Sequence, residues 1–273
     1  MKLSCCIWAL EEGRGPLRYW RRFQKRRVSE IQCLNQLAEL GFHSFDVCPT
    51  MQRSPEAQLA REQRGLSISC LSICHDAPSK TSFHSDDPSD WEPLVAHAND
   101  AVIHASRLGA HCAYVVPSPP TENLSSYAHR YTELAELGQQ NGVKVGIEHF
   151  PGTAFPTVQS TLDFIKSVDH PNLYLLFDIG HAQMSNEDPT EALHRAGDRL
   201  AYVHLDDNNG KDDLHLALTD GVQTKQSLKS FFSALGDVGY NGTLSLEIHP
   251  TLPDPFDAIR RSKRIVEDLI EIR

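Results

Sequence analysis

The sequence predicts a closed barrel of eight parallel strands alternating with eight helices, and three observations carry that expectation. Short apolar runs, each the length of a buried strand, alternate with amphipathic segments of helical period along the chain. Four of these runs break off at a residue able to bind a metal: Val143 to Glu148, Tyr174 to Asp178, Ala201 to His204 and Thr243 to Glu247. A chain of 273 residues with 40% hydrophobic composition can bury one large core, so a single domain over 1–273 is expected. A doubly wound sheet shares the alternation; the count of eight favours the barrel.

The first strand is read as Leu3 to Leu10. A basic run follows (Arg14, Arg18, Arg21, Arg22, Lys25, Arg26, Arg27), of the kind that usually forms a solvated helix face. The sharper reading of that run is an anion-binding rim over the pocket mouth. A helix is expected from Ser29 to Leu40, with Val28, Ile31, Leu34, Ala38 and Leu40 as its apolar face and Gly41 as its stop. Phe42 to Cys48 is the second strand, ended by Pro49, and a polar helix runs on to Gly65. The third strand, Leu66 to Ile73, ends at His75 and Asp76.

Ala77 to Asp90 is rich in Ser, Asp and Pro and has no apolar period, so it reads as a long loop of the kind used as a lid. Trp91 is expected to open a helix that Gly109 closes after Leu108. Strand four, Ala113 to Val116, stops at the Pro117-Ser118-Pro119-Pro120 segment. A helix from Leu124 to Gln140 precedes strand five, which ends in Glu148, and another from Thr157 to Val168 precedes strand six, which ends in Asp178. Asp188 can cap the next helix, with Pro189 in its first position and Glu191 completing a capping box. Strand seven ends in His204, and the polar stretch Asp206 to His215 follows it. A helix from Thr224 to Leu235, strand eight ending in Glu247, and a helix from Asp254 to Ile272 close the ring.

In a barrel of parallel strands all C-terminal ends open on one face, which brings Glu148, Asp178, His204 and Glu247 together. Any one of them alone is more often a solvated loop residue or a helix cap. Their joint occurrence at four strand ends points to one shared site for a divalent metal. Trp8 is a candidate floor for a sugar pocket or a core aromatic, and His75 a substrate contact or a loop residue. His149 and His249 should turn away from the axis or into roles supporting the ligands, and Asp206 is the candidate to orient a ligating His.

Composition narrows the partners. The formal net charge of −10 disfavours a nucleic-acid backbone. No apolar run approaches a membrane span, and the N-terminal stretch is too short in apolar residues for a signal peptide. Seven cysteines, an odd number with none beyond Cys112, read as reduced thiols of a cytoplasmic protein, and Cys70 with Cys74 lacks the second pair a structural zinc needs.

The segments Gly146-Ile147-Glu148, Phe177-Asp178-Ile179-Gly180-His181, Val203-His204-Leu205-Asp206-Asp207 and Ser245-Leu246-Glu247-Ile248 resemble those of the xylose isomerase-like TIM barrels. That group holds sugar isomerases and epimerases, inosose dehydratases and endonuclease IV. The resemblance runs from Lys2 to the last helix. In ketose 3-epimerases of the group, one Mn2+ or related ion is held by residues matching Glu148, Asp178, His204 and Glu247, and a residue matching His181 contacts substrate. The resemblance implies a divalent ion (Mn2+, or Mg2+, Co2+ or Zn2+) that polarises the carbonyl of a small sugar and stabilises an enediolate. Glu148 and Glu247 would then be the acid and base.

The chain departs from its relatives after strand seven. It reads His215-Leu216-Ala217-Leu218-Thr219-Asp220-Gly221, and the Arg of ketose epimerases has no clear counterpart between Asp206 and Lys211. Three alternatives follow. Dehydration or lyase chemistry would use the same ion. An endonuclease IV-like repair enzyme would use three zinc ions, with His75 and the Asp213 and His215 pair as further ligands, but strand four supplies no His. A barrel that binds sugar without turnover is the third. A homo-oligomer stays open.

Overall fold

The computed structural model describes residues 1–11 and 28–271, so the basic run from Arg14 to Arg27 lies outside the described residues. Eight strands form one sheet: β1 (Lys2–Cys5), β2 (Ser44–Val47), β3 (Ser67–Ser72), β4 (Cys112–Val115), β5 (Lys144–Glu148), β6 (Leu173–Asp178), β7 (Leu200–Leu205) and β8 (Thr243–Leu246). Their order is β1-β8-β7-β6-β5-β4-β3-β2, and every ladder is parallel. A single parallel bridge between Cys6 and Asp46 joins the two ends and closes the barrel.

Outside the strands run α1 (Glu30–Glu39), α2 (Pro55–Glu62), α3 (Pro88–Leu108), α4 (Ala128–Gln140), α5 (Val158–Val168), α6 (Ile179–Met184), α7 (Pro189–Ala196), α8 (Lys225–Asp237) and α9 (Pro255–Glu271). The helices cover a core that takes in the strand interiors and the apolar helix faces. None of the described helices is long and apolar enough to cross a membrane.

The differences from the sequence reading have local causes. Strand one stops at Cys5, and Ile7–Leu10 forms a buried 3-10 turn. A fully buried run has the same apolar signature in a strand or a turn. On α1 the buried face is Cys33, Leu34 and Leu37, while Ile31 is 40% exposed. Helix α3 starts at Pro88, not Trp91, because the Asp87 carboxylate accepts from Ser89 N (2.9 Å) and proline suits a first helical position. Asp188 caps α7 as expected, taking both Thr190 N and Glu191 N, but Glu191 does not return a bond; one short carboxylate satisfies both donors.

The 77–87 loop is a fastened wall of the barrel mouth, unlike the lid the sequence suggested. Phe83 is buried, and its N–H donates to Ser118 Oγ (3.0 Å). Arg130 donates to the Phe83 and Ser85 carbonyls (2.5 and 2.9 Å), and the His84 ring meets the Tyr131 hydroxyl at 2.8 Å. Such anchors disfavour opening as a unit.

Candidate metal centre and active site

Asp178 and His204 are register partners on β6 and β7, so pairing alone sets their side chains side by side at the C-terminal rim. Glu148 ends β5, and Glu247 directly follows β8. One ligand atom from each of these four residues lies within 4.8 Å of all the others. His204 Nδ1 is 2.7 Å from Glu247 Oε2, 3.4 Å from Glu148 Oε1 and 3.9 Å from Asp178 Oδ2.

This group fits a divalent ion on its own chemistry. Three carboxylates and one imidazole are an oxygen-rich donor set with hard-cation character. Asp178 Oδ2 and His204 Nδ1 are buried without a hydrogen-bond partner, and an orphaned buried polar atom is costly unless a ligand completes it. Burial alone would keep His204 neutral; the charge of Glu247 overrides it and drives the imidazole pKa well up. Burial raises Glu148, whereas His204 and His215 overcome burial at Glu247 and pull it down to about 2. A cluster this rich in negative charge calls for a cation.

Surrounding groups hold the four in place. Asp178 Oδ1 accepts from His181 N (2.8 Å), so the same carboxylate caps α6, a short helix the sequence reading missed. His149 lies off the axis, and its Nε2 accepts from Asp178 N (3.1 Å). Trp8 Nε1 donates to Glu247 Oε1 (3.0 Å), so Trp8 serves the site from a 3-10 turn rather than from a strand end. Asp206 was expected to orient a ligating His. Instead it accepts from Gly180 N (3.1 Å) and faces His215 Nδ1 (3.1 Å); a side chain at Gly180 would strike its carboxylate. The carboxylate facing the outer nitrogen of His204 is Asp46, at 3.6 Å. Its signal in the sequence was an Asp set between Phe45 and Val47 inside a strand, an expensive placement without a use.

A cavity of about 510 Å3 opens above these residues. Glu148 and Glu247 form part of its floor, and Trp8, His75, His181 and His215 all line it. His75 stacks on Trp8 with ring centroids 5.4 Å apart. Asp213, which entered the sequence reading only as part of a possible repair-enzyme ligand set, also lines the cavity. Its Oδ1 lies 3.1 Å from His215 Nε2 and 3.4 Å from His181 Nε2, and these three residues form a second cluster within 4.8 Å. Burial would lower the His181 pKa, but Asp178, Asp213 and Glu148 carry it up to about 10. His215 holds a left-handed backbone (φ 41°), a strained conformation of the kind that persists where surrounding structure enforces it. His249 N donating to His215 O (2.9 Å) is part of that enforcement.

The family model described as Xylose isomerase-like TIM barrel matches residues 34–269. The chain is 29% identical over 272 residues to the inosose dehydratase of Geobacillus kaustophilus, covering 89% of this chain and 88% of that protein. It is 30% identical over 190 residues to the uncharacterized protein MJ1311 of Methanocaldococcus jannaschii, covering 63% of this chain and 61% of that relative. Among solved structures, a D-tagatose 3-epimerase-like protein superposes with a TM-score of 0.76 at 23% identity over 99% of both chains. The IOLI protein, solved with a binding zinc atom, superposes with a TM-score of 0.75 at 19% identity over 99% of this chain and 98% of that one. At such identities these two likenesses speak to the fold.

Proposed function

Because the chain belongs to the xylose isomerase-like TIM barrel family, we propose that it is a divalent-metal-dependent isomerase or epimerase of a small keto sugar or related polyol. The observation that carries this reading is the pair of orphaned ligand atoms, Asp178 Oδ2 and His204 Nδ1, set among the Glu148 and Glu247 carboxylates at the floor of the cavity. A bound ion would supply Lewis acidity, drawing charge from a substrate carbonyl and making the neighbouring C–H more acidic.

The protein groups divide the remaining work. Glu148 and Glu247 reach the cavity from strands three apart in the ring, so one can take a proton and the other return one from the opposite face. Glu247 Oε1 already accepts from Trp8 Nε1, and Oε2 lies 2.7 Å from His204 Nδ1 without a formed hydrogen bond, which favours Glu148 as the group that first takes the proton. Trp8 and Phe150 offer apolar faces for the C–H side of a sugar, and His181, Asp213 and His215 offer polar atoms for its hydroxyls.

Among the described residues no Lys or Arg lines the cavity, whereas three carboxylates do. The positive charge available to a substrate in the cavity is that of the His181 and His215 imidazoles, whose pKa the neighbouring carboxylates raise against burial, and of a bound ion.

A second reading, dehydration of a keto-polyol at the same site, is favoured by the likeness to inosose dehydratase across 88% of that protein. One experiment separates the two. The protein is assayed for metal content, then incubated with free ketoses and with inosose in deuterated water. Deuterium in an epimeric sugar supports the first reading, and an unsaturated product absorbing in the ultraviolet supports the second. Neither product from metal-loaded protein would overturn both.

A further inference from the structure

Asp46 is a buried carboxylate that the chemistry above does not use. It sits on β2, across the barrel from His204 on β7, and is 0% exposed. An ionisable group is rarely buried this deeply unless paired. Three features aim it. The β2–β3 register shifts between Phe45 and Asp46, an irregularity of the kind that re-aims a side chain. The bridge that closes the barrel, Cys6 to Asp46, falls on the same residue. Three hydroxyls then donate to one oxygen, Oδ1: Tyr202 at 2.5 Å, Ser69 at 2.6 Å and Ser4 at 3.2 Å.

With Oδ1 saturated, Oδ2 is left for His204 Nε2 at 3.6 Å and for the Cys6 thiol, which donates to it at 3.5 Å. The His pair is an electrostatic contact, longer than a formed hydrogen bond. Nδ1 stands closer still to a carboxylate, 2.7 Å from Glu247 Oε2, so the Asp46 contact selects the tautomer once a cation occupies the cluster: Nδ1 then faces the ion, and Nε2 alone is left a carboxylate to share its proton with. Cys6 is consistent with this. Its proton points at Asp46, so its sulfur, 4.0 Å from Nε2, is free to accept. Two tyrosine rings, Tyr114 and Tyr202, stand edge-on to the His204 ring (87° each), with centroids 5.3 and 5.7 Å away. Ring plane and proton are thus fixed from the side remote from the carboxylate cluster.

We propose that Asp46 is a positioning residue that acts through His204: it keeps the ring proton on Nε2, so that Nδ1 presents a lone pair to the ion held by Glu148, Asp178 and Glu247. The inference rests on the metal reading above. Partners that hold a metal-ligating histidine in this way are worth about 10- to 100-fold in metal affinity.

The test measures Mn2+ and Zn2+ affinity by competition with a chromophoric chelator, on wild type, Asp46→Asn and Asp46→Glu, each checked for folding by circular dichroism. D46N should bind about 10- to 100-fold more weakly, and D46E, which keeps the charge, should recover most of the loss. A purely structural role would not move a second readout, the ring 15N shifts of His204 in zinc-loaded wild type, assigned by His204→Gln. Coordination at Nδ1 with the proton on Nε2 is expected, and coordination through Nε2 overturns the proposal even where D46N fails to fold. Wild-type affinity in folded D46N overturns it too. If wild type itself takes up no metal, the metal reading falls and this inference with it.

Discussion

The two halves of the barrel end their strands differently. Strands β5 to β8 end in, or are followed directly by, Glu148, Asp178, a His204 one residue short of the end, and Glu247, all turned toward one point. Past the ends of β1, β3 and β4 stand Trp8, His75 and Pro117, which line the cavity and add no member to that four-residue cluster. One half carries the chemistry and the other shapes what reaches it. Side chains join the halves behind and beside the cluster: Trp8 donates to Glu247, Asp46 faces His204 and accepts from Tyr202, and Cys6 and Tyr114 pack against the His204 ring.

If that division holds, substitutions in the second half should abolish metal binding, and those in the first, apart from Asp46 behind His204, should tune turnover or substrate affinity with the ion retained. The largest effect is expected for Asp178→Asn and His204→Ala. Either removes a donor outright, so metal affinity should fall by at least about 100-fold, beyond what loss of a supporting partner costs. Mass spectrometry of the purified variants would read this as loss of the ion. A folded D178N protein with full metal content would break the comparison.

Trp8→Phe comes next because Trp8 bridges the halves. The ring remains and the donor to Glu247 Oε1 goes. Loss of a hydrogen bond to a charged group costs about 1.5–3 kcal/mol. Turnover should fall roughly 10- to 100-fold with the ion still bound. A drop in metal content as large as that of D178N would move Trp8 into the second half.

How much of this was legible in the sequence follows from what each signal requires. The four strand ends stood out because an apolar run that stops at Glu, Asp or His is a local pattern, and the parallel barrel converts four local patterns into one place. The 3-10 turn at Ile7–Leu10 and the early start of α3 at Pro88 were not legible, since burial and capping override apolar period there. Asp46 was missed for a different reason. Its partner His204 lies far along the chain, and only barrel closure brings them together. The fastening of the 77–87 loop was hidden likewise, because Arg130 and Tyr131 reach it from α4.

The smallest effect expected is that of His75→Ala, and it tests the comparison most finely. His75 follows β3, lines the cavity and stacks on Trp8 at 5.4 Å, yet it is not a member of the four-residue cluster. An aromatic pair of this kind is worth about 0.5–1.5 kcal/mol beyond its buried area. The Trp8 ring keeps its hydrogen bond to Glu247 without the stack, so the chemical step has no reason to slow. KM for the accepted sugar should therefore rise roughly 2- to 10-fold with kcat unchanged, the pattern of lost uniform binding. A fall in kcat with unchanged KM would mean that the stack sets the position of Glu247 through Trp8, and that the first half of the barrel takes part in the chemistry as well as in recognition.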